Sequence, residues 1–92
     1  MSTWSKEDVP LIPLRNWTTG AEDTASYTVK LQPKNQDYDT GAIACSQFTT
    51  EQWLWRPDAD LDSETDYWIY VNSTKKGSLN ANDGITLIPG GD

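Results

Sequence analysis

Thr24-Ala25-Ser26-Tyr27-Thr28-Val29-Lys30-Leu31-Gln32 sends Tyr27, Val29 and Leu31 to one side of an extended chain and Ser26, Thr28 and Lys30 to the other. Period-two alternation built from β-branched and aromatic residues is the pattern of a half-buried strand. Pro33 ends it, because proline offers no N–H to a ladder. The pattern returns at Tyr67-Trp68-Ile69-Tyr70-Val71, where it assigns Tyr67, Ile69 and Val71 inward and Trp68 and Tyr70 outward.

Other segments add to the same reading. Residues 41–48 place Ile43 and Cys45 on one face and Ala42 and Ala44 on the other, and small residues on both faces predict a central, covered strand. Residues 52–56 form a short strand with Trp53, Leu54 and Trp55, stopped by Pro57. Lys75-Lys76-Gly77 reads as a turn, and so does Asn82-Asp83-Gly84, where Asp-Gly is a hairpin signal. Residues 85–88 are the last strand. Residues 9–14 are apolar but carry Pro10 and Pro13, which predicts an edge strand or an extended segment laid on the domain. Thr49-Thr50-Glu51-Gln52 has the polar opening of a helix, but Pro57 leaves room for one turn only. The expectation is an all-β fold: a small β-sandwich of six or seven antiparallel strands, with an extended arm over residues 1–14 and a single domain over 15–92.

Leu61-Asp62-Ser63-Glu64-Thr65-Asp66-Tyr67 reads L-x-x-x-T-x-Y and runs straight into Trp68-Ile69-Tyr70-Val71. This resembles the tyrosine-corner and F-strand region of fibronectin type III and related immunoglobulin-like domains. The resemblance implies that Leu61 anchors the core, Thr65 caps the turn, and the Tyr67 hydroxyl bonds backward to the backbone. It further implies that Ile69 and Val71 continue the F strand inward and that Ile85 and Leu87 form the G strand. It covers about a third of the chain. The first half departs from the family, since the early core Trp has no counterpart unless Trp17 fills it. Such domains work in adhesion and protein recognition and decorate phage capsids and tails.

At 92 residues the chain is one domain, and a domain this small has a thin stability margin. Five Trp, four Tyr and one Phe must compensate for scarce aliphatics. A net charge of −7 argues against nucleic acid and anionic membranes, both of which need clustered Lys and Arg. No apolar stretch approaches the ~20 residues of a membrane-spanning helix. The N-terminal residues lack a signal-peptide pattern, so the expected setting is folding in a reducing cytosol. The single cysteine, Cys45, reads as a small core residue, with an intermolecular disulfide as its other use. Asn16-Trp17-Thr18 and Asn72-Ser73-Thr74 are chance matches to the glycosylation pattern on that reading.

The chain has no histidine, which removes Ser-His-Asp, Cys-His and histidine-ligated metal chemistry. A 92-residue sandwich has little room for a deep cleft, so an enzyme is not expected. Asp58, Asp60 and Asp62 begin like an EF-hand loop, but Ser63 stands where Gly is needed and Ile69 where Glu is needed. The run reads as a solvated acidic loop, with a weak, open Ca²⁺ site as the alternative. No cofactor is expected.

Binding residues are expected among the arm and the aromatics: Trp4, Val9, Leu11, Ile12, Leu14, Trp53, Trp55, Trp68 and Tyr70. The leading expectation is a structural protein of a virion, assembled in host cytoplasm, decorating or stabilising a phage capsid or tail. Its partners would be coat or tail subunits, or further copies of itself. The second reading is a carbohydrate-binding module in which Trp53, Trp55, Trp68 and Tyr70 stack on sugars. The third is a Ca²⁺-dependent adhesion domain.

Overall fold

The computed structural model describes residues 2–17, 27–37, 40–49 and 53–89. Nine strands occur among them: β1 (Thr3–Trp4), β2 (Ile12–Pro13), β3 (Val29–Pro33), β4 (Ile43–Thr49), β5 (Leu54–Pro57), β6 (Leu61–Asp62), β7 (Asp66–Val71), β8 (Thr74–Asn80) and β9 (Thr86–Pro89). The only helical piece among them is a 3₁₀ turn over Leu14–Trp17. The fold is all-β and antiparallel, as the alternation predicts. Seven strands form one continuous sheet in the order β2-β5-β4-β3-β7-β8-β9, and β1 pairs with β6 in a separate ribbon. Strands β3, β4 and β5 follow one another across the sheet, and the chain then returns through residues 58–65 to lay β7 beside β3. That is a Greek-key connection.

Strict alternation drives this sheet to close. Tyr67, Ile69 and Val71 on β7 are buried, while Trp68 and Tyr70 on the opposite face are half-buried. Val29 and Leu31 on β3, Trp55 on β5 and Leu79 on β8 join the same core as Ile12 from β2. Residues from both ends of one sheet can share a core only if the sheet coils, bringing its apolar face round on itself.

The corner at the Greek-key crossing is built from Leu61, Asp62, Thr65 and Tyr67. Leu61 is fully buried. The Asp62 backbone N–H donates to the Tyr67 hydroxyl oxygen at 3.0 Å. Thr65 closes the turn, its N–H donating to the Asp62 carbonyl at 3.2 Å and its hydroxyl to the Asp62 carboxylate at 3.3 Å.

Four local expectations are corrected. The turn read at Lys75-Lys76-Gly77 is strand: those residues lie inside β8. The chain reverses earlier, at Asn72 and Ser73, which both have positive φ (51° and 68°) between the paired residues Val71 and Thr74. That is the type I′ geometry whose twist suits a two-residue hairpin. Asn72 tolerates it because its carboxamide oxygen takes the Thr28 N–H at 2.8 Å. Gly77 is instead a buried strand residue paired with Ile69 and Pro89. Second, β4 is central but covered on one face only, since Ala44, Ser46 and Phe48 are exposed. Third, the polar N-terminus is not a loose arm over 2–8: Thr3 and Trp4 pair with Asp62 and Leu61. Fourth, residues 9–14 supply the expected edge strand, β2, but as part of the core and not as an arm outside the domain. Val9, Ile12 and Leu14 are buried, Ile12 pairs with Trp55, and the Leu14 N–H donates to the Trp53 carbonyl at 3.0 Å. Of the helix start considered at residues 49–52, Thr49 ends β4 and residues 50–52 fall outside the described residues, as does the beginning of the strand at 24–26.

Two outcomes follow for stability. Deleting residues 2–13 removes Val9 and Ile12 from the core, about 3–6 kcal/mol of lost burial against a net stability of about 5–15 kcal/mol. The truncated chain should therefore show no cooperative thermal transition by circular dichroism, and a melt within a few degrees of the full chain would refute this packing. Tyr67→Phe leaves the Asp62 N–H without its acceptor, so urea unfolding should show a loss of about 1–3 kcal/mol. Burial raises the Tyr67 hydroxyl pKa above its usual value, against the Asp62 N–H, which lowers it. A group with a raised folded pKa adds stability below its unfolded pKa of about 10, and that stability falls as pH rises further. The alkaline decline should be shallower in Tyr67→Phe.

Candidate functional site

The outer face of the sheet is where side chains remain free of the core. Pairing sets its rows: Gln32 on β3, Trp68 on β7, Ser78 on β8 and Ile88 on β9 lie in one line, and Lys30, Tyr70 and Lys75 in the next. Ile88 is 43% exposed.

Trp68 stands at the centre, with two ammonium groups on its ring. Lys34 Nζ lies 4.1 Å from the ring centroid and Lys75 Nζ 4.0 Å. Each such contact contributes about 0.5–1 kcal/mol at an exposed site. Each lysine arrives by a separate device. Lys75 sits beside a β-bulge: Ile69 pairs with Gly77 and Tyr70 with Lys75, so Lys76 is the extra residue. Bulges re-aim neighbouring side chains, and this one lies next to the lysine above Trp68. Lys34 begins the β3–β4 loop, where its N–H donates to the Asp66 carbonyl at 2.9 Å and its ammonium reaches Asn80 Oδ1 at 3.4 Å.

That loop is held from beneath by Gln32, a buried polar residue on the outer face. Its amide nitrogen donates to the Asp37 carbonyl at 2.6 Å and the Thr40 carbonyl at 3.0 Å, with longer contacts to Pro33 and Gln36. Gly41 turns the chain back at φ +73°, and a Cβ there would meet Gln36 Oε1 at 2.5 Å. The positive φ favours glycine there, while the exposed Gln36 side chain could swing away from a Cβ. A buried glutamine thus shapes the loop that carries Lys34.

The nine residues expected to bind do not share a surface. Val9, Ile12, Leu14, Trp53 and Trp55 are in the core. Trp53 and Trp55 are therefore not a platform with Trp68 and Tyr70. Trp53 takes a left-handed φ of 55°, which turns its ring inward against Tyr27 at 5.6 Å and beneath the Arg15 guanidinium at 4.5 Å. Burial of so large a ring offsets the strain of that backbone. Leu11 and Trp4 are half-buried, and the Trp4 indole N–H is buried without a hydrogen-bond partner among the described residues. Trp68 and Tyr70 alone of the nine face outward on the sheet. Lys34, Lys75, Gln32 and Ile88 were not singled out by sequence. A further exposed aromatic, Phe48 on β4, carries the Arg56 guanidinium 5.0 Å above its ring.

The three aspartates considered for Ca²⁺ each accept a hydrogen bond, Asp58 and Asp60 from distant segments and Asp62 within its turn. Asp58 accepts from the Ser46 hydroxyl at 2.9 Å, Asp60 from the Lys6 N–H at 3.0 Å, and Asp62 from the Glu64 N–H at 2.9 Å. Among the described residues no group of three His, Cys, Asp or Glu side chains is placed to hold a metal ion. Cys45 packs against the core. Although the residue is partly exposed, burial pushes its thiol pKa far up, and the Asp58 carboxylate adds to the effect. Such a thiol is a poor nucleophile.

No protein-family model matches the chain, and no curated protein or solved structure matches it either.

Gln32→Leu, similar in size but unable to donate, should cost about 1–3 kcal/mol by removing the Gln32 bonds to the Thr40 carbonyl and to the Asp37 carbonyl, which keeps only the Thr40 N–H. Amide hydrogen exchange should accelerate within residues 34–41 while the β7 amides stay protected. Uniform acceleration across both would show that Gln32 supports the whole sheet and not this loop.

Proposed function

We propose that this chain is a non-enzymatic structural protein that acts by protein–protein contact within an assembly, with a virion as its setting and coat or tail subunits or further copies of itself as its partners. The observation that carries the reading is the outer face holding Trp68, Tyr70 and Ile88 in two adjacent rows, with Trp68 held by Lys34 and Lys75. Aromatic residues on a rigid sheet and outside the core have the composition of an interface centre, with the lysines suited to its polar rim. The absence of histidine and the desolvated Cys45 thiol support a role without catalysis. We also propose kinship with immunoglobulin-like modules. It is supported by the buried Leu61 and the bonded Tyr67 hydroxyl.

Sugar stacking is less well supported by this arrangement. A sugar ring needs an open aromatic face, and two ammonium groups already lie on Trp68. Trp53 and Trp55, which would have completed the platform, are buried. A Ca²⁺-dependent adhesion role is less well supported, since Asp58, Asp60 and Asp62 are each turned to a separate protein donor.

The test is co-purification. In a density gradient of particles from producing cells, the chain should band with the coat in fixed stoichiometry. Trp68→Ser with Tyr70→Ser should leave the fold intact by circular dichroism and move the protein to the soluble fraction. Wild-type chain found only in the soluble fraction would overturn the proposal.

A further inference from the structure

Between the β1–β6 ribbon and the turn that joins β8 to β9 lies a groove of about 460 Å³, lined by Ser2, Thr3, Trp4 and Ser63 from the ribbon and by Ala81, Asn82 and Gly84 from the turn. Small-molecule sites typically enclose about 300–1,000 Å³. Its walls are fixed through backbone bonds. The Ser63 N–H donates to the Ser2 carbonyl at 3.1 Å, the Gly84 N–H to the Ala81 carbonyl at 3.1 Å, and the Asn82 N–H to the Asp66 carboxylate at 3.0 Å. The side chains of Ser2, Thr3, Ser63 and Asn82 take no part in this, and none of them makes a hydrogen bond to a described residue. Gly84 has φ +92°, and no atom stands within 4 Å of where its Cβ would be. The backbone is bare there, so a bound molecule can approach it closely.

The geometry points to a binding site for a neutral polyhydroxylated molecule, a sugar unit of a glycan, held by Trp4, Ser63 and Asn82. The lining sets the chemical class. None of its side chains is ionisable. Exposed Glu64 and Asp83 adjoin lining residues in sequence, and the Asp66 carboxylate is bonded to Asn82, so an anion is repelled. A cation finds no carboxylate in the wall, and an apolar side chain finds only Trp4 and Ala81 to pack on. Hydroxyls and a carboxamide both donate and accept, as the hydroxyls of a sugar do. The Trp4 ring supplies the flat apolar surface on which the C–H face of a sugar packs, and unlike Trp68 it carries no described cation. Its indole N–H is buried without an acceptor among the described residues. Buried donors are nearly always paired, and a hydroxyl of the bound sugar is the acceptor this one lacks. Trp68, Tyr70 and Ile88 do not line the groove, so the site adds a glycan contact to the assembly surface and does not depend on it.

Nuclear magnetic resonance on the isotope-labelled full chain tests this. The probes are the methyl glycosides of glucose, galactose, mannose and N-acetylglucosamine, each added to about 50 mM, which reaches sites of millimolar affinity. With at least one of them the amides of residues 2–4, 63 and 81–84 and the Trp4 indole N–H should shift saturably, while the Trp68 indole N–H stays in place. Ser63→Ala with Asn82→Ala, which removes two uncommitted side chains and leaves the backbone bonds, should keep the circular dichroism spectrum and raise the Kd for that sugar about tenfold or more. No saturable shift with any of the four sugars, shifts centred on Trp68 and Tyr70, or an unchanged Kd in the double variant would overturn the inference.

Discussion

The bond from the Asp62 backbone N–H to the Tyr67 hydroxyl holds the point on which the topology turns. Strands β3 to β5 fold back on one another by proximity in sequence, but β7 must cross from β5 to the far side of β3. The crossing leaves few backbone groups in a ladder, so side chains secure it. Leu61 buries its side chain beneath the corner, Thr65 ties the turn to Asp62, and the Tyr67 ring continues the inward row of β7. The same segment pairs with Thr3 and Trp4, which draws the N-terminus onto the domain. Register at the corner sets register in β7, and a one-residue slip would turn Trp68 inward and Ile69 outward.

A single sheet with one apolar face has to find a cover for that face. Two packed sheets are one solution, and coiling is the other. Here the coil is completed by residues 9–14, whose two prolines prevent them from being a regular strand but not from filling the core. The short β2 also ends the sheet with proline at the edge, where a missing N–H costs least. Large rings suit this economy of residues: Trp53 and Trp55 supply bulk that a small domain lacks in aliphatics.

The surface follows from the same alternation. Every residue that β7 does not send inward it sends to the outer face, so a strand rich in aromatics places Trp68 and Tyr70 outside. What distinguishes them from scattered apolar surface is their company. A bulge on β8 and a glutamine-held loop after β3 bring lysines from two directions onto one indole. Two lysines thereby gather on one indole of an acidic protein.

Local periodicity alone determined that the chain is all-β, that Tyr67, Ile69 and Val71 face the core, and that Trp68 and Tyr70 face away. These are nearest-neighbour properties of an extended backbone, and they are written in the order of the residues. The position of β8 was hidden because Gly77 resembles a turn residue, whereas the left-handed turn is made by Asn72 and Ser73. Trp53 and Trp55 could not be assigned inward from a run of three apolar residues, since either face would have been consistent with the pattern. Lys34 and Lys75 stand 41 positions apart, and only the pairing of β3, β7 and β8 brings them together. Alternation tells a residue which face it occupies, but which residues share that face depends on strand order and register, and these are decided by packing across the whole sheet.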